Sequence, residues 1–371
     1  MLPRYTDTVP TTRTRRFPIV KKSLPLLSAF VALAAALAWL AAPMRGDEKK
    51  PFPPFGKIDR IDPAFDKLIA PDAYLENLAD GYGWAEGPIW IKDGGYLLNS
   101  DTIGNTMFKW KEGEGKSVFL HPSGCLHDCD DIKEPGSNGM TVDSEGRLVF
   151  CDHGNRRVAR LEKDGKTRTT LADKYEGKRF NSPNDLVYKS NGDLYFTDPP
   201  YGLSRKSHKE GEPEFPGMEM DYCGVYRLSK AGKVTLLTKE MTKPNGIAFS
   251  PDEKTLYVSN SDPEKAVWMA FDVKDDGTLG RGRVFYDATE GAKKKLLGLP
   301  DGMKIDKDGN LFGAGPGGVF VLSPEGKLLG MIATGVATSN CNWGDDGSVL
   351  YITADHNLTR IKTKTKGAGW K

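Results

Sequence analysis

Six oxygen-bearing residues recur along this 371-residue chain, each at the start of the same short phrase. After each one come an apolar run, a glycine-containing turn and a second apolar run. These leading residues are Glu86, Asn138, Asn184, Asn245, Asp301 and, in the loosest copy, Asn340. Carboxylate and amide oxygens suit hard cations such as Ca²⁺ and Mg²⁺, with Mn²⁺ as an alternative. If the six residues share one structural position, they can converge on a single cation, and two carboxylates roughly neutralise its charge.

The same dipeptides also have a purely structural interpretation. Asn-Gly and Asp-Gly are common turn dipeptides, because both residues tolerate the backbone geometry of tight turns. For any single copy, such as Asn138-Gly139, this explanation is sufficient. The Glu86-Gly87-Pro88 copy is different, since glutamate is a poor turn former and a role as a ligand explains it better.

The elements that must position these residues are β-strands. Copies recur at intervals of about 40 to 60 residues, which is typical of β-propellers. The two runs of each copy predict two strands, and further runs such as 158–161 and 224–228 supply the others. Four strands in each of six units predict an all-β fold, a six-bladed β-propeller over residues 75–365, whereas a β-sandwich would not need six similar units. The innermost strand of each blade starts near the axis, so the leading residues are expected to meet there.

The two ends of the chain lie outside the predicted propeller. Residues 1–46 combine a basic stretch with the uncharged run Leu24–Ala42, which is the layout of an export signal, although such a run can also remain as a membrane anchor. Residues 47–74 are predicted to be a linker and lead-in, and residues 366–371 a C-terminal tail. We therefore expect an exported protein, periplasmic or secreted, that contacts a membrane only through an uncleaved N-terminal segment.

The charge distribution argues against one class of partner. The formal net charge is +2, but basic residues are concentrated in residues 1–46, so the remainder of the chain is mildly acidic. A nucleic-acid-binding surface needs the opposite balance, and we expect no nucleic-acid partner. We expect the propeller to be a monomer.

Five cysteines leave at least one unpaired. Cys125 and Cys129 lie close together in a polar loop with His121 and His127, so a small disulfide and a metal cluster are both conceivable. The spacing matches no standard zinc pattern, which favours a disulfide or an ordinary loop. Cys151, at the end of an apolar strand, is predicted to be buried in the core.

Several short motifs, taken together and in order, resemble one known family. They are Trp84-Ala85-Glu86-Gly87-Pro88, the segment RFNSPNDL (179–186), Lys243-Pro244-Asn245-Gly246 and Leu299-Pro300-Asp301-Gly302-Met303. From about residue 75 to 365 the chain resembles the six-bladed propellers of the gluconolactonase, regucalcin (senescence marker protein) and luciferin-regenerating enzyme family. Two further segments, CDHGNRR (151–157) and FTDPPYG (196–202), look specifically like bacterial gluconolactonases.

The resemblance implies one divalent cation on the axis, usually Ca²⁺, with Mg²⁺, Mn²⁺ or Zn²⁺ as alternatives. Three protein ligands are implied, namely Glu86, Asn245 and Asp301. Asn184 is expected beside the cation, in contact with it or with substrate. Arg179 is implied to line the substrate pocket, although the segment 181–183 departs from the regucalcin pattern and leaves its direction open. Asn184 keeps the family's distance to the Gly192 turn, so Asn184 rather than Asn181 is aligned.

A site of this kind suits hydrolysis of a cyclic ester. The cation would polarise the lactone carbonyl and stabilise the oxyanion while an activated water attacks. Asp301 is the candidate base, as the family suggests, although a carboxylate bound to a cation is a weak base. Asn138 is a candidate substrate contact on the same face. His153 is expected to bind substrate, to shuttle a proton or to bond a backbone carbonyl.

Three functions are consistent with these residues. The first is a metal-dependent lactonase acting on a sugar lactone such as gluconolactone. The second is a related metal-dependent hydrolase of other lactones or of organophosphate esters. The third is a non-catalytic propeller with a structural cation, whose face binds a sugar or a protein. The polar strip 201–221 is expected either to cover the axial face or to be solvated.

Overall fold

The computed structural model of the protein describes residues 52–370. The predicted export signal or anchor, residues 1–46, lies outside the described residues. Between residues 52 and 370, no helix combines the length and apolar character needed to cross a bilayer. This part of the chain consists of short β-strands, turns and a few short helices.

Three strands precede the first repeat. They are β1 (Pro54–Phe55), β2 (Lys57–Arg60) and β3 (Leu75–Ala79). Although β1 and β2 lie in the segment predicted to be a linker, they form the outer edges of two blades. An edge strand tolerates proline, because one side of its backbone needs no ladder partner. The lead-in therefore belongs to the propeller from residue 54 onward, which corrects the linker assignment for these residues.

The first three blades are antiparallel sheets whose four strands pair in chain order. Blade 1 consists of β4 (Ala85–Ile91), β5 (Tyr96–Asp101), β6 (Thr106–Lys111) and β7 (Gly115–Leu120). Blade 2 consists of β8 (Ser137–Val142), β9 (Leu148–Asp152), β10 (Arg157–Leu161) and β11 (Arg168–Ala172). A small hairpin follows, formed by β12 (Lys174–Tyr175) and β13 (Lys178–Arg179). Blade 3 consists of β14 (Leu186–Tyr188), β15 (Leu194–Asp198), β16 (Gly224–Leu228) and β17 (Val234–Thr238).

The last three blades follow the same plan. Blade 4 consists of β18 (Pro244–Phe249), β19 (Thr255–Asp262), β20 (Lys265–Asp272) and β21 (Arg283–Asp287). Blade 5 consists of β22 (Met303–Ile305), β23 (Leu311–Gly315), β24 (Gly318–Leu322) and β25 (Leu328–Ala333), with β2 added outside β25. Blade 6 consists of β26 (Thr338–Gly344), β27 (Val349–Ala354) and β28 (Asn357–Lys362), with β3 and then β1 outside β28.

The ring closes through the N-terminal strand β3. It pairs with β28, with Ala79 opposite Leu358, and so supplies the fourth strand of blade 6. Because blade 6 combines strands from both ends of the propeller, the ring cannot open without breaking this ladder. The predicted all-β, six-bladed propeller is confirmed.

The hydrophobic core lies between neighbouring blades. Trp268 of blade 4, for example, is fully buried and its ring centroid lies 5.2 Å from that of Phe320 in blade 5. Burial of apolar surface contributes roughly 25 cal/mol per Å², so these inter-blade contacts are the main source of stability. With the blade faces occupied in this way, the strand ends and the axis remain available for function.

Short helices occur only in the connections of the described chain. They are the 3₁₀ turns Pro63–Lys67, Lys92–Gly94 and Tyr201–Leu203, and the helix α1 (Thr289–Lys293). The residues predicted to be a C-terminal tail pack back onto the propeller. Trp370 contacts the core between blades 5 and 6, and the Lys92 ammonium lies 4.0 Å from the centroid of its ring.

Candidate active site

One cavity of about 330 Å³ opens on the propeller axis, at the face where the inner strands begin. We call this the axial cavity. Five of the six predicted leading residues line it, namely Glu86, Asn138, Asn184, Asn245 and Asp301. Trp84, Tyr201 and Leu299 contribute further wall. The repeats thus bring five side chains, far apart in sequence, to one place.

Carboxylates at the ends of the second strands fix the chain just before the leading residues. The Asp101 carboxylate accepts a hydrogen bond from the Trp84 N–H at 3.1 Å, two residues before Glu86. Asp198 likewise accepts from the Ser182 N–H at 2.8 Å, two residues before the leading residue of blade 3. These bonds satisfy backbone donors that would otherwise be buried without partners. The sequence alone did not predict these hydrogen bonds, although an aspartate ends the second strand of blades 1, 2 and 3.

Hydroxyl groups of the preceding blade hold three leading residues by their backbone carbonyls. The bonds are Ser100 to Asn138 at 2.9 Å, Thr197 to Asn245 at 2.6 Å and Ser259 to Asp301 at 2.9 Å. Each bond joins the second strand of one blade to the leading residue of the next. The backbone is therefore fixed without using the side chains, which remain directed at the cavity.

The glycines after the leading residues serve close packing rather than turns. Asn138-Gly139 lies inside β8 and Asn245-Gly246 inside β18, so neither dipeptide is a turn. A Cβ added to Gly246 would lie 2.2 Å from the carbonyl oxygen of Asp301. Glycine is needed because adjacent inner strands approach at this point. This rules out the turn interpretation for these two copies.

The predicted leading residue of blade 6 is wrong by one position. In the strand register, Thr338 occupies the place that Pro244 occupies in blade 4. Ser339 therefore holds the leading position, and Asn340 holds the position after it, where most copies have glycine. The sequence alignment of this copy is shifted by one residue, because the copy has no glycine after its leading residue. From its actual position the Asn340 amide donates to Glu86 Oε2 at 3.3 Å, so Asn340 supports a site residue.

Two leading carboxyl groups are electrostatically unsatisfied. Glu86 is 2% exposed, and burial, with a contribution from the charge of Asp185, raises its pKa to about 8. Burial and the negative charge of Glu86 also raise the pKa of Asp301 well above its ordinary value. Each carboxylate accepts one backbone hydrogen bond, from Gly87 and Gly302 respectively, both at 2.9 Å. The pair needs either protons or a cation to lower its energy.

Amide oxygens in the same cavity lack partners. The Oδ1 atoms of Asn138 and Asn245 are buried and accept no hydrogen bond. An unsatisfied buried acceptor costs about 1–3 kcal/mol, so it marks a place where a ligand is expected. Within residues 52–370, no group of three or more His, Cys, Asp or Glu side chains is placed to hold a metal ion. Two carboxylates with amide oxygens nevertheless form a donor set that fits a hard cation.

Asp185 is a further buried acid that sequence reasoning did not single out. It is 1% exposed, and its Oδ2 has no hydrogen-bond partner, although the Lys304 ammonium lies 4.0 Å away. It follows Asn184, in the position where four other copies have glycine. An aspartate in place of this glycine is the sequence feature that could have identified Asp185 as a candidate site residue. Asp185 places a second layer of negative charge beneath the cavity, and it contributes to the raised pKa values of Glu86 and Asp301.

His153 lies behind the cavity wall rather than in it. Its side chain is fully buried, and Nε2 lies 3.3 Å from the amide nitrogen of Asn138. The predicted direct contact with substrate is therefore not available to it in this arrangement. Asn138 separates it from the cavity.

Arg179 does not line the axial cavity. Its exposed side chain donates to the carbonyl of Asn155 at 3.0 Å, and its backbone N–H donates to Glu219. The chain turns inward only after it, where Asp198 holds Asn181 and Ser182. The predicted pocket-lining role of Arg179 is not supported by this placement.

Cys125 and Cys129 form a disulfide. His121 bonds Thr106 at 2.9 Å, and among the described residues no metal cluster involves this loop. The disulfide interpretation is therefore confirmed, and Cys151 is buried as predicted.

The polar strip 201–221 begins at the cavity. Tyr201 forms part of the wall, and its hydroxyl donates to the carbonyl of Ser261 at 3.0 Å. Further along, Arg205 forms a β-bridge with Ile132 of the loop before blade 2. The start of the strip thus covers one side of the axial face.

Comparison with known proteins identifies the family. The model of the SMP-30/Gluconolactonase/LRE-like region matches residues 84–356. The chain is 41% identical over 323 residues to a gluconolactonase of Zymomonas mobilis, covering 84% of this chain and 87% of that protein. It is 26% identical to a pentonolactonase of Haloferax volcanii over 72% of this chain and 80% of that one.

Solved structures agree. A gluconolactonase from Xanthomonas campestris superposes with a TM-score of 0.71 at 32% identity, covering 85% of this chain and 99% of the other. The family match, residues 84–356, includes the leading residues of all six blades. The chain belongs to the SMP-30/gluconolactonase/LRE-like family.

Proposed function

We propose that this protein is a divalent-cation-dependent lactonase that hydrolyses a sugar lactone to the corresponding hydroxy acid. That it is a hydrolase of a cyclic ester follows from its similarity to gluconolactonases over most of the chain. The observation that carries the cation dependence is the pair Glu86 and Asp301. Both face one cavity with raised pKa values, and neither forms a salt bridge within residues 52–370.

The carboxylates of Glu86 and Asp301 and the amide oxygens of Asn184 and Asn245 would hold the cation. Two negative charges balance a divalent ion, which would replace the protons that the pair otherwise needs. When bound, it supplies positive charge that polarises a lactone carbonyl and stabilises an oxyanion. We favour Ca²⁺, because the donors are all oxygen, with Mg²⁺, Mn²⁺ and Zn²⁺ as alternatives.

The proposed substrate is a lactone of a single sugar. Similar proteins are named gluconolactonase and pentonolactonase. A cavity of about 330 Å³ lies at the small end of the range for ligand sites, which suits one sugar ring. The amides of Asn138 and Asn184 can bond sugar hydroxyls, and Trp84 provides an apolar surface for the ring.

Asp301 is the first candidate to accept a proton from the attacking water. It lines the cavity beside Glu86, so a water bound there would lie close to it. The charge that makes Asp301 a good cation ligand also makes it a weak base once the cation is bound. Its main role in the proposal is therefore to bind the cation and place it against the substrate.

We further propose that the protein is exported. The supporting feature is the basic and apolar sequence of residues 1–46, which lies outside the described residues. Fractionation of cells that produce the full chain tests this proposal, and recovery only in the cytoplasm would contradict it.

A metal analysis coupled to a lactonase assay on the full chain tests the function. We expect about one divalent cation per chain. Hydrolysis of glucono-δ-lactone above the uncatalysed rate should be lost in EDTA and restored by Ca²⁺. Full activity in chelator would overturn the cation dependence. No turnover of any lactone, ester or phosphotriester by the metal-loaded protein would favour a binding propeller instead.

A further inference from the structure

A third carboxylate lines the axial cavity and belongs to none of the repeats. It is Glu134, in the loop between β7 and β8. Its side chain is 29% exposed, so it is reachable by water, unlike the buried Glu86. Its negative charge adds to burial, the main cause of the raised pKa values of Glu86 and Asp301. Glu134 therefore lies in the axial cavity together with the proposed cation ligands Glu86 and Asp301.

His153 lies directly behind Glu134. Its Nδ1 is 3.6 Å from Glu134 Oε2 and has no hydrogen-bond partner, while its Nε2 is 3.3 Å from Asn138 Nδ2. In this arrangement the Asn138 amide nitrogen donates to Nε2, which leaves Nδ1 as the ring nitrogen available to donate. Nδ1 is the ring nitrogen nearer Glu134, and a small movement of either side chain would bring the two groups within hydrogen-bond distance. One buried imidazole thus lies against both a cavity carboxylate and a cavity amide.

The backbone around Glu134 is anchored on three sides. The Lys133 N–H donates to the Ser204 carbonyl at 3.0 Å, and the Gly136 N–H donates to the Thr102 carbonyl at 2.8 Å. The Pro135 carbonyl accepts from the N–H of Cys125, which is disulfide-bonded to Cys129. A side chain that only covered the surface would not need such support. A group that must be held within a fraction of an ångström would.

We propose that Glu134 is the general base of the hydrolysis and that His153 is its positioning residue. This inference rests on the proposed lactonase function. When Glu86 and Asp301 are engaged as cation ligands, Glu134 is the carboxylate lining the cavity whose charge is not used in that way. A buried imidazole also lies beside it, with Nδ1 3.6 Å from Glu134 Oε2, and a group in this place can orient a base once the contact shortens.

The step balances without a further reactant. The water oxygen bonds to the lactone carbonyl carbon, one water proton moves to Glu134, and the carbonyl π electrons move to the carbonyl oxygen. When the carbonyl re-forms, the bond from carbon to the ring oxygen breaks and its electron pair stays on that oxygen. The ring oxygen takes the proton from Glu134. The product is the open hydroxy acid, and Glu134 is again a carboxylate.

The test compares Glu134→Gln with Glu264→Gln in the full-length, cation-loaded protein. Glu264 is an exposed glutamate in the β19–β20 turn at the same face and serves as the matched control. We expect Glu134→Gln to lower kcat at least about 100-fold, with KM and calorimetric Ca²⁺ affinity nearly unchanged. Glu134→Ala should regain part of its kcat in formate, which supplies a carboxylate, and the control should match wild type.

His153 is tested by a pair of substitutions. His153→Asn keeps a donor near the place of Nδ1, whereas His153→Leu removes it. We expect the Asn variant to retain a clearly larger kcat than the Leu variant, although Leu fits a buried site at least as well. Equal kcat losses that follow loss of thermal stability would assign His153 a structural role only.

The outcomes separate this inference from the lactonase proposal. Wild-type kcat in Glu134→Gln, or a raised KM with unchanged kcat, would overturn the base assignment and leave the lactonase intact. If Glu134→Gln folds poorly, absence of formate rescue in a folded Glu134→Ala protein overturns the assignment equally. A wild-type protein that hydrolyses no lactone would overturn both.

Discussion

Two of the concave regions of this propeller contain carboxylates that differ in their electrostatic partners. The axial cavity measures about 330 Å³, whereas a groove between blades 2 and 3 measures about 640 Å³. The groove is lined by the turns 143–147 and 190–192, which join the first and second strands of their blades. It therefore lies at the opposite face from the leading residues.

Each acid that lines the groove has a basic partner. Asp143 bonds Arg147 at 2.8 Å and Glu253 bonds Lys189 at 3.0 Å. Burial alone would raise the pKa of Asp143, but backbone and side-chain hydrogen bonds from Arg147 hold it below its ordinary value. In the axial cavity, burial raises the pKa of Glu86 to about 8 without such compensation. The smaller region is the better candidate site, because unsatisfied charge, not volume, indicates function.

The largest effect should follow from removing a carboxylate of the axial pair. Asp301→Ala and Glu86→Gln each take away one of two charges that balance the proposed cation. We expect loss of calorimetric Ca²⁺ binding and a fall in kcat/KM of at least about 100-fold. In chelator, Glu86→Gln should melt at a higher temperature than wild type, since it removes a buried, unpaired acid. Full lactonase activity in Asp301→Ala would contradict the assignment of the axial cavity as the active site.

The second effect concerns the pH dependence of stability without a cation. The pKa of Glu86 is about 8 in the folded protein against an ordinary value of 4.5. Below pH 4.5 the Glu86 carboxyl group is protonated in both the folded and the unfolded protein, so it does not lower the free energy of unfolding. As the pH rises from 4.5 to 8, the unfolded chain releases its proton first, so the free energy of unfolding decreases and levels off above pH 8.

Thermal melts across that range, with EDTA or with Ca²⁺, measure this effect. The melting temperature in EDTA should fall between pH 4.5 and 8, and the gain from Ca²⁺ should grow over the same interval, because the cation binds the ionised pair. Glu86→Gln should make the EDTA curve less steep, although not flat, because burial still raises the pKa of Asp301. A wild-type gain from Ca²⁺ that is constant with pH would contradict an origin in this pair.

These two experiments concern residues that the sequence could locate. Five leading residues occupy the same structural position in their blades, and the repeat makes that position recognisable from the sequence alone. They are Glu86, Asn138, Asn184, Asn245 and Asp301. The sixth copy failed because Ser339-Asn340-Cys341 contains no glycine to align. Asn340 was therefore placed one residue too early in its phrase. A sequence repeat predicts the position of a residue reliably only where the neighbouring residues also match the repeat.

Other parts of the site had no pattern to follow. Glu134 lies in an irregular loop, and only the fold places it in the same cavity as Asp301 and beside His153. The direction of Arg179 depends on how Asp198 turns the following backbone, a long-range hydrogen bond that no local propensity encodes. The raised pKa of Glu86 is a property of burial, which six blades create together.

A smaller effect should distinguish Asn184 from Arg179. Asn184 lines the axial cavity, whereas Arg179 bonds Asn155 outside it. Asn184→Ala should lower kcat/KM about tenfold, the value of one or two lost polar contacts. Arg179→Ala should change kcat/KM by no more than about twofold, as expected of a surface position. A large loss in Arg179→Ala, with unchanged Ca²⁺ binding, would mean that this side chain reaches the substrate after all.

The smallest effect is expected in the groove. Glu253→Gln breaks the ion pair with Lys189, in which both side chains are partly exposed, and weakens the bonds to Ser190. Because water screens such a pair, we expect the free energy of unfolding to fall by only about 0.5–1 kcal/mol. Denaturant unfolding measures this change, and lactonase kcat/KM should equal that of wild type. If Glu253→Gln instead abolished turnover while the protein stayed folded, satisfied charge would not exclude function, and the larger groove would need to be tested as a ligand site.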